Sequence, residues 1–310
     1  MATFRLSLSC GTYDRTLPLL DGRVKPEGVE MEIVPTLRPQ SPMGSPEADL
    51  YEASVTRTLM RASAESSHIP IAVFPRRKFT HQLLLKRKDS AIGDFPDFSG
   101  KRVGVLRWYE HPLGVWLRGL LSDRYGIQPR DIHWFTESEE LPLEKLTGVN
   151  VTVIPKEKSL IRMLLDGDLD VVAHEDAHRL LAQHADLQRV FPRFKEVEAE
   201  HFQETGIFPS YHVLVLRREI AERNGWVVES LIRAFEEAKE TALKALERDT
   251  SLFGTPWMAS LLEEQWRALR RDLYPYGVEA NRTEMETLVR YLYEQGLSPK
   301  AIPLAEIFAR

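Results

Sequence analysis

Residues able to move protons or hold an anion gather where strands of this chain are predicted to end. Asp14 and Arg15 follow the first strand, Glu52 follows a proline-rich loop, and His81 opens a strand after the basic turn Arg76-Arg-Lys78. Tyr109, Glu110 and His111 share one loop, His174-Glu-Asp176 follows a short apolar strand, and His212 sits at the start of a late strand. Histidine changes charge near neutral pH and serves as a general acid or base. Arginine offers a planar pair of donors that matches a carboxylate. These types point to proton transfer on a small anionic molecule.

Other chemistries lack their residues. There is no phosphate-binding glycine loop, dinucleotide fingerprint, nucleophile elbow or Cys-x-x-Cys pair, so no organic cofactor is expected. His174 and His178 lie four apart with acids between them and would share a helix face, a weak signal for a divalent metal, and no metal is assigned.

The elements that must position these groups centre on Lys101 to Gly126, KRVGVLRWYEHPLGVWLRGLLSDRYG. Arg102 to Leu106 is short, apolar and β-branched, as in a strand covered on both faces. Pro112 suits the first turn of a helix, Trp116, Leu117, Leu120 and Leu121 recur at helical spacing, and Tyr125-Gly126 supplies a stop. In open α/β sheets ligands sit beyond the carboxyl ends of strands, which makes the loop Arg107 to Pro112 a candidate site.

Before it, Met1 to Cys10 alternates as a strand, Val29 to Ile33 alternates again, Leu37 to Asp49 reads as a loop, Ala53 to Ala64 as a helix, and Ile69 to Phe74 and His81 to Leu85 as strands. After it come strands at Ile132 to Phe135 and Val171 to Ala173 around a helix at Lys158 to Asp166, then a strand at Tyr211 to Leu216. Helices are expected over Trp226 to Arg248, Pro256 to Asp272 and Thr283 to Gln295. Strand and helix alternate as in a parallel sheet. The order predicts an α/β protein of two lobes, lobe I from residues 1–100 and 206–310 and lobe II inserted at 101–205. Two chain crossings make a hinge, with a ligand cleft between the lobes.

Length agrees, since 310 residues exceed the usual single core, and 43% hydrophobic side chains can fill two. A net charge of -5 without a basic block argues against nucleic acid as the main partner. No run approaches the ~20 apolar residues of a membrane helix, so no membrane partner is expected. The start lacks the apolar core of a signal peptide, and the single cysteine, Cys10, fits a reducing compartment. With Met1 as the true start, the expected location is the cytoplasm, and association into a homo-oligomer is compatible with the composition.

The chain resembles the 4,5-dihydroxyphthalate decarboxylases and their relatives. The resemblance rests on Cys10-Gly-Thr-Tyr-Asp-Arg-Thr16, Leu20-Asp-Gly-Arg-Val24, Pro26-Glu-Gly28, Phe74-Pro-Arg-Arg-Lys-Phe-Thr-His81 and Gly100-Lys-Arg-Val-Gly-Val105. Further anchors are Trp116-Leu-Arg-Gly119, Tyr125-Gly126, Asp131-Ile-His-Trp134 and Thr205-Gly-Ile-Phe-Pro209 with His212. It implies a fold like that of type 2 periplasmic binding proteins and a lyase that removes one carboxylate from a dihydroxylated aromatic diacid. The stretch after Pro35 is shorter and richer in proline than is usual in the family. Glu110-His111-Pro112 and His174-Glu-Asp176 stand where relatives carry small residues. Both of these last changes fall at the expected cleft and bear on the choice of substrate.

Non-oxidative decarboxylation of an arene requires protonation of the ring carbon before the bond breaks, helped by charge from an ortho or para phenolate. It needs a base, an acid and a cation for any remaining carboxylate. The assignment that follows is His81 and His212 for proton transfer, facing one another across the cleft, with Glu52 or Asp14 orienting an imidazole. Arg15, Arg77 and Arg118 are the anchoring candidates, and Tyr109, His111 and His174 complete the binding set. The rival readings are a solute-binding protein of an ABC-type transporter, or another cytoplasmic lyase, on the same fold.

Overall fold

The computed structural model describes residues 4–37, 43–63, 65–139, 146–252 and 254–309. Of the expected first strand and the loop expected over Leu37 to Asp49, residues 1–3 and 38–42 lie outside the described residues. Two compact units form: one holds the chain up to Arg77, Ser210–Met285 and the residues from Ile302, and the other holds Lys78–Pro209 and Glu286–Ala301.

In the first unit, alternating apolar residues make strands whose buried faces meet one long helix. The strands are β1 (Phe4–Ser9), β2 (Val29–Ile33), β3 (Leu50–Ser54) and β4 (His68–Arg77), completed by the late strand β11 (Ser210–Arg217). Strands from the second unit take the numbers between. The sheet runs β2-β1-β3-β11-β4. β1 is parallel to β2 and β3, whereas β11 is antiparallel to β3 and β4. Leu6, Leu8, Leu50, Leu214 and Leu216 pack with Val227, Leu231 and Phe235 of the helix Gly225–Arg248.

In the second unit the strands are β5 (Leu84–Arg87), β6 (Arg102–Val105), β7 (His133–Thr136), β8 (Asn150–Val153), β9 (Val171–Ala173) and β10 (Leu187–Arg189), in the order β10-β5-β9-β6-β7-β8. β6 is parallel to β7 and β9, with Val103 opposite Val171, and β5 joins β9 antiparallel. Val103 and Val171 therefore belong to a different sheet from Leu6. The helix Pro112–Tyr125 follows β6 with Pro112 in its first turn and ends at Gly126, whose φ of 68° is the left-handed conformation that glycine adopts without a Cβ clash.

Three expectations need correction. The segment Ala53 to Ala64 is not one helix: β3 continues to Ser54 before a six-residue helix, Val55–Met60. His81 lies in a 3-10 turn, His81–Leu83, that precedes β5. The boundaries expected at 100 and 206 fall at 77/78 and 209/210, because β5 pairs with β9 and β10, and residues 286–301 also join the second unit.

Candidate active site

Alternation along β3 turns Glu52 toward the buried face of its sheet, where it is fully buried. A carboxylate there must be satisfied by donors. Its Oε2 accepts from the Gly11 N–H at 2.8 Å, and its Oε1 accepts from the Tyr13 hydroxyl at 2.7 Å and lies 2.6 Å from His212 Nδ1. Burial and the Glu52 charge raise the Tyr13 phenol far above its ordinary range, so this hydroxyl keeps its proton and donates. Glu52 is thus an acceptor on all sides, the shared hydrogen sits on Nδ1, and His212 Nε2 is left without a hydrogen-bond partner among the described residues. The ladder fixes the pair, since β11 sets Leu214 opposite Glu52 and His212 opposite Ser54. Cys10 sits nearby as a thiol held protonated by burial and by Glu52.

Arg15 lies on the same loop as Tyr13. Its guanidinium stacks 4.3 Å from the Tyr13 ring centre and 3.9 Å from that of Tyr274, donates to the Pro75 carbonyl at 2.9 Å, and pairs with exposed Asp14 at 2.9 Å. Arg76 stands opposite His212 in the β4–β11 ladder and adds a second positive charge that acts on Tyr13. Arg77 is buried and committed to Glu284 and Asn281, tying β4 to the helix Arg282–Glu294. Its guanidinium is thereby held within the first unit.

In the second unit the loop after β6 begins at Arg107, the one non-glycine residue with positive φ (67°) among the described residues. Glu137 holds it there: the Arg107 N–H donates to Glu137 Oε2 at 2.9 Å, and its carbonyl accepts from the Glu137 N–H at 2.7 Å. Strain of this kind persists where the surroundings fix it and clusters at sites. Farther along, His111 Nδ1 accepts from the Leu113 N–H at 3.3 Å, which leaves the hydrogen on Nε2, 3.3 Å from Glu175 Oε1. Lys78 Nζ lies 3.3 Å from the other oxygen of Glu175. His174 Nδ1 accepts from the Asp176 N–H at 3.0 Å, and burial lowers its proton affinity.

His81 belongs to this unit, whereas His212 belongs to the first. It packs among Phe95, Phe191 and His201, with ring centres 5.4 to 5.6 Å away, and burial followed by the neighbouring His201 pushes its pKa down to about 3. Its imidazole is thus enclosed and neutral within the second unit, apart from His212 in the first. Arg118 is likewise fully buried, 3.6 Å over the Tyr109 ring, and donates to Gln295 Oε1 and the Tyr109 carbonyl, both at 2.7 Å. Tyr109 is itself 1% exposed, so both side chains are enclosed within the second unit.

The run His174-Glu-Asp-Ala-His178 does conform to His-Glu-x-x-His, but the helix starts only at Ala177, so the two imidazoles do not share a helix face. Among the described residues, no three His, Cys, Asp or Glu side chains assemble as a metal site. Tyr13, Lys78 and Glu175 went unassigned in the sequence, although each sits in a stretch already marked by position.

No protein-family model matches the chain. By structure it is similar to the periplasmic aliphatic sulphonate binding protein SsuA from Escherichia coli, with a TM-score of 0.56 and 16% identity over 100% of this chain and 92% of that one. It is similar to a putative periplasmic sulfonate-binding protein SsuA from Methylobacillus flagellatus KT, at a TM-score of 0.59 and 12% identity over 99% and 92%. It is also similar to the desulfurization enzyme DSZB, at 0.52 and 16% over 99% and 96%. These likenesses establish the α/β fold of periplasmic-binding-protein type, which carries binding proteins and an enzyme alike. Among the described residues no helix is long and apolar enough to cross a membrane. By sequence the chain is 31% identical over 187 residues to the 4,5-dihydroxyphthalate decarboxylase of Pseudomonas putida, covering 56% of this chain and 70% of that protein. With 30% identity to the 4,5-dihydroxyphthalate decarboxylase of Comamonas testosteroni, over 99% of this chain and 97% of that protein, the chain belongs to the 4,5-dihydroxyphthalate decarboxylase family.

Proposed function

We propose that this protein removes one carboxylate, as carbon dioxide, from a hydroxylated aromatic carboxylic acid of the dihydroxyphthalate kind, with His212 moving protons and Glu52 orienting it. The observation that carries this reading is the buried Glu52–His212 contact of 2.6 Å, which holds the hydrogen on Nδ1 and leaves Nε2 to react. Neutral Nε2 takes the proton of a ring hydroxyl, and the resulting phenolate pushes charge onto the carbon that bears the leaving carboxylate. The imidazolium, stabilised by Glu52, then returns a proton to that carbon, and the carbon–carbon bond breaks with its electrons restoring the aromatic ring. Arg15 supplies positive charge for a carboxylate that stays.

A protein that only binds its solute has no use for a buried carboxylate–imidazole pair, which favours the lyase over a transporter's binding protein. The route uses side chains and needs no organic cofactor. We place the protein in the cytoplasm, since its one cysteine suits a reducing compartment.

Incubation of purified protein with 4,5-dihydroxyphthalate and a panel of hydroxylated benzoates, read by mass spectrometry for loss of carbon dioxide, tests the reaction. On the substrate so found, His212→Gln should lower kcat by roughly 100-fold to 10,000-fold while the protein stays folded. Near-native turnover by that variant would remove His212 from the chemistry.

A further inference from the structure

The first unit holds a cavity of about 410 Å³ that the proposed reaction does not use. Its floor is a row of ladder partners, Tyr51, Val215 and Pro70, across β3, β11 and β4. Side chains alternate along a strand, so Tyr51 and Ala53 point away from the face that buries Leu50 and Glu52. The cavity therefore lies on the opposite face of the sheet from the Glu52–His212 pair.

Its walls combine positive charge with apolar surface. Arg57, Arg61 and Arg218 line it against one acid, Glu306, while Leu37, Met43 and Ile307 supply apolar contact. Arg218 is committed to the carbonyls of Ser66 and Ser63, at 2.6 and 2.8 Å. Arg61 is exposed, makes no side-chain hydrogen bond among the described residues, and its charge opposes the effect of burial on the Tyr51 phenol. His68 packs edge-on against Tyr51 at 5.2 Å and bonds Ser67 through Nδ1, but its Nε2 is buried with no hydrogen-bond partner among the described residues. The volume falls within the ~300–1,000 Å³ typical of small-molecule sites.

We infer that this cavity is a second binding site, taking a small organic anion: a carboxylate on a compact apolar body, with the charge at Arg61 and Arg57 and the body over Tyr51 and Val215. Benzoate is a suitable probe, titrated calorimetrically into the whole protein, into Arg61→Met, and into Ala62→Trp, which fills the lining from its own wall. A benzoate-binding event should weaken at least tenfold in Arg61→Met and vanish in Ala62→Trp, while turnover without benzoate stays at the wild-type level in both. Inorganic phosphate at the same concentration should not displace benzoate, because it has no apolar body. The inference is overturned if no benzoate binding depends on either substitution, or if phosphate competes equally. Arg61 is exposed, so its variant keeps the test open even if the tryptophan variant fails to fold.

Discussion

Glu52 and His212 are individually legible in the sequence as polar residues near strand ends, but their partnership is not, because 160 positions separate them. Only the antiparallel pairing of β3 with β11 brings them together. Tyr13 is harder to see still, since a tyrosine in a polar loop has no signature of a hydrogen bond to a buried acid. Its hydroxyl is one of three donors to Glu52, and removing it leaves the carboxylate with the Gly11 N–H and His212 alone. The carboxylate is then held less firmly in the position that orients the imidazole. Tyr13→Phe should therefore lower kcat by roughly tenfold to a hundredfold, the scale of ~1.5–3 kcal/mol for a hydrogen bond to a charged group. A lower melting temperature with an unchanged kcat would reduce Tyr13 to a structural role.

At the scale of elements, alternation located β1 and β2, short apolar runs located β4, β6, β7, β9 and β11, and proline and glycine signals located the helix Pro112–Tyr125. The failure at β3 has a physical source: its core-facing row is Leu50, Glu52 and Ser54, and two polar residues on the buried side erase the alternation that marks a strand. Burial of a carboxyl group hid the element that carries it. The helix face expected to be shared by His174 and His178 fails because that helix begins only at Ala177. Close helix packing was also invisible, and Gly119 shows how tight it is. A Cβ built there would come within 2.1 Å of the Tyr291 ring, whose hydroxyl donates to Asp123 at 2.7 Å. Gly119→Ala should destabilise the fold by about 1–3 kcal/mol through overpacking, measured by denaturant melts. Pairing it with Tyr291→Leu should recover part of the loss, and equal losses in the single and double variants would place the strain elsewhere.

For the whole molecule, the two-unit plan was legible from the order of elements, whereas the return of residues 286–301 to the second unit was not. That return depends on contacts such as Arg118 with Gln295, between residues far apart in sequence. The second unit also buries titratable groups that set how stability follows pH. Glu198 accepts from the Gln82 N–H at 2.8 Å, and burial raises its pKa from 4.5 to about 8, while burial lowers His81 from 6.5 to about 3. Below pH 6.5 the unfolded chain binds a proton at His81 that the folded chain refuses, so this group costs stability as pH falls. Above pH 4.5 the folded chain keeps a proton on Glu198 that the unfolded chain releases, so this group costs stability as pH rises toward 8. Between 4.5 and 6.5 the two effects oppose each other. From 6.5 to 8 the Glu198 effect stands without that opposition, and the free energy of unfolding should fall by about 1.4 kcal/mol per pH unit. Glu198→Gln keeps the shape and a hydrogen-bonding contact with Gln82 but cannot titrate. Urea melts across this interval should show a decline in the wild type that is nearly flat in the variant, and an unchanged slope in Glu198→Gln would show that Glu198 enters the folded state ionised.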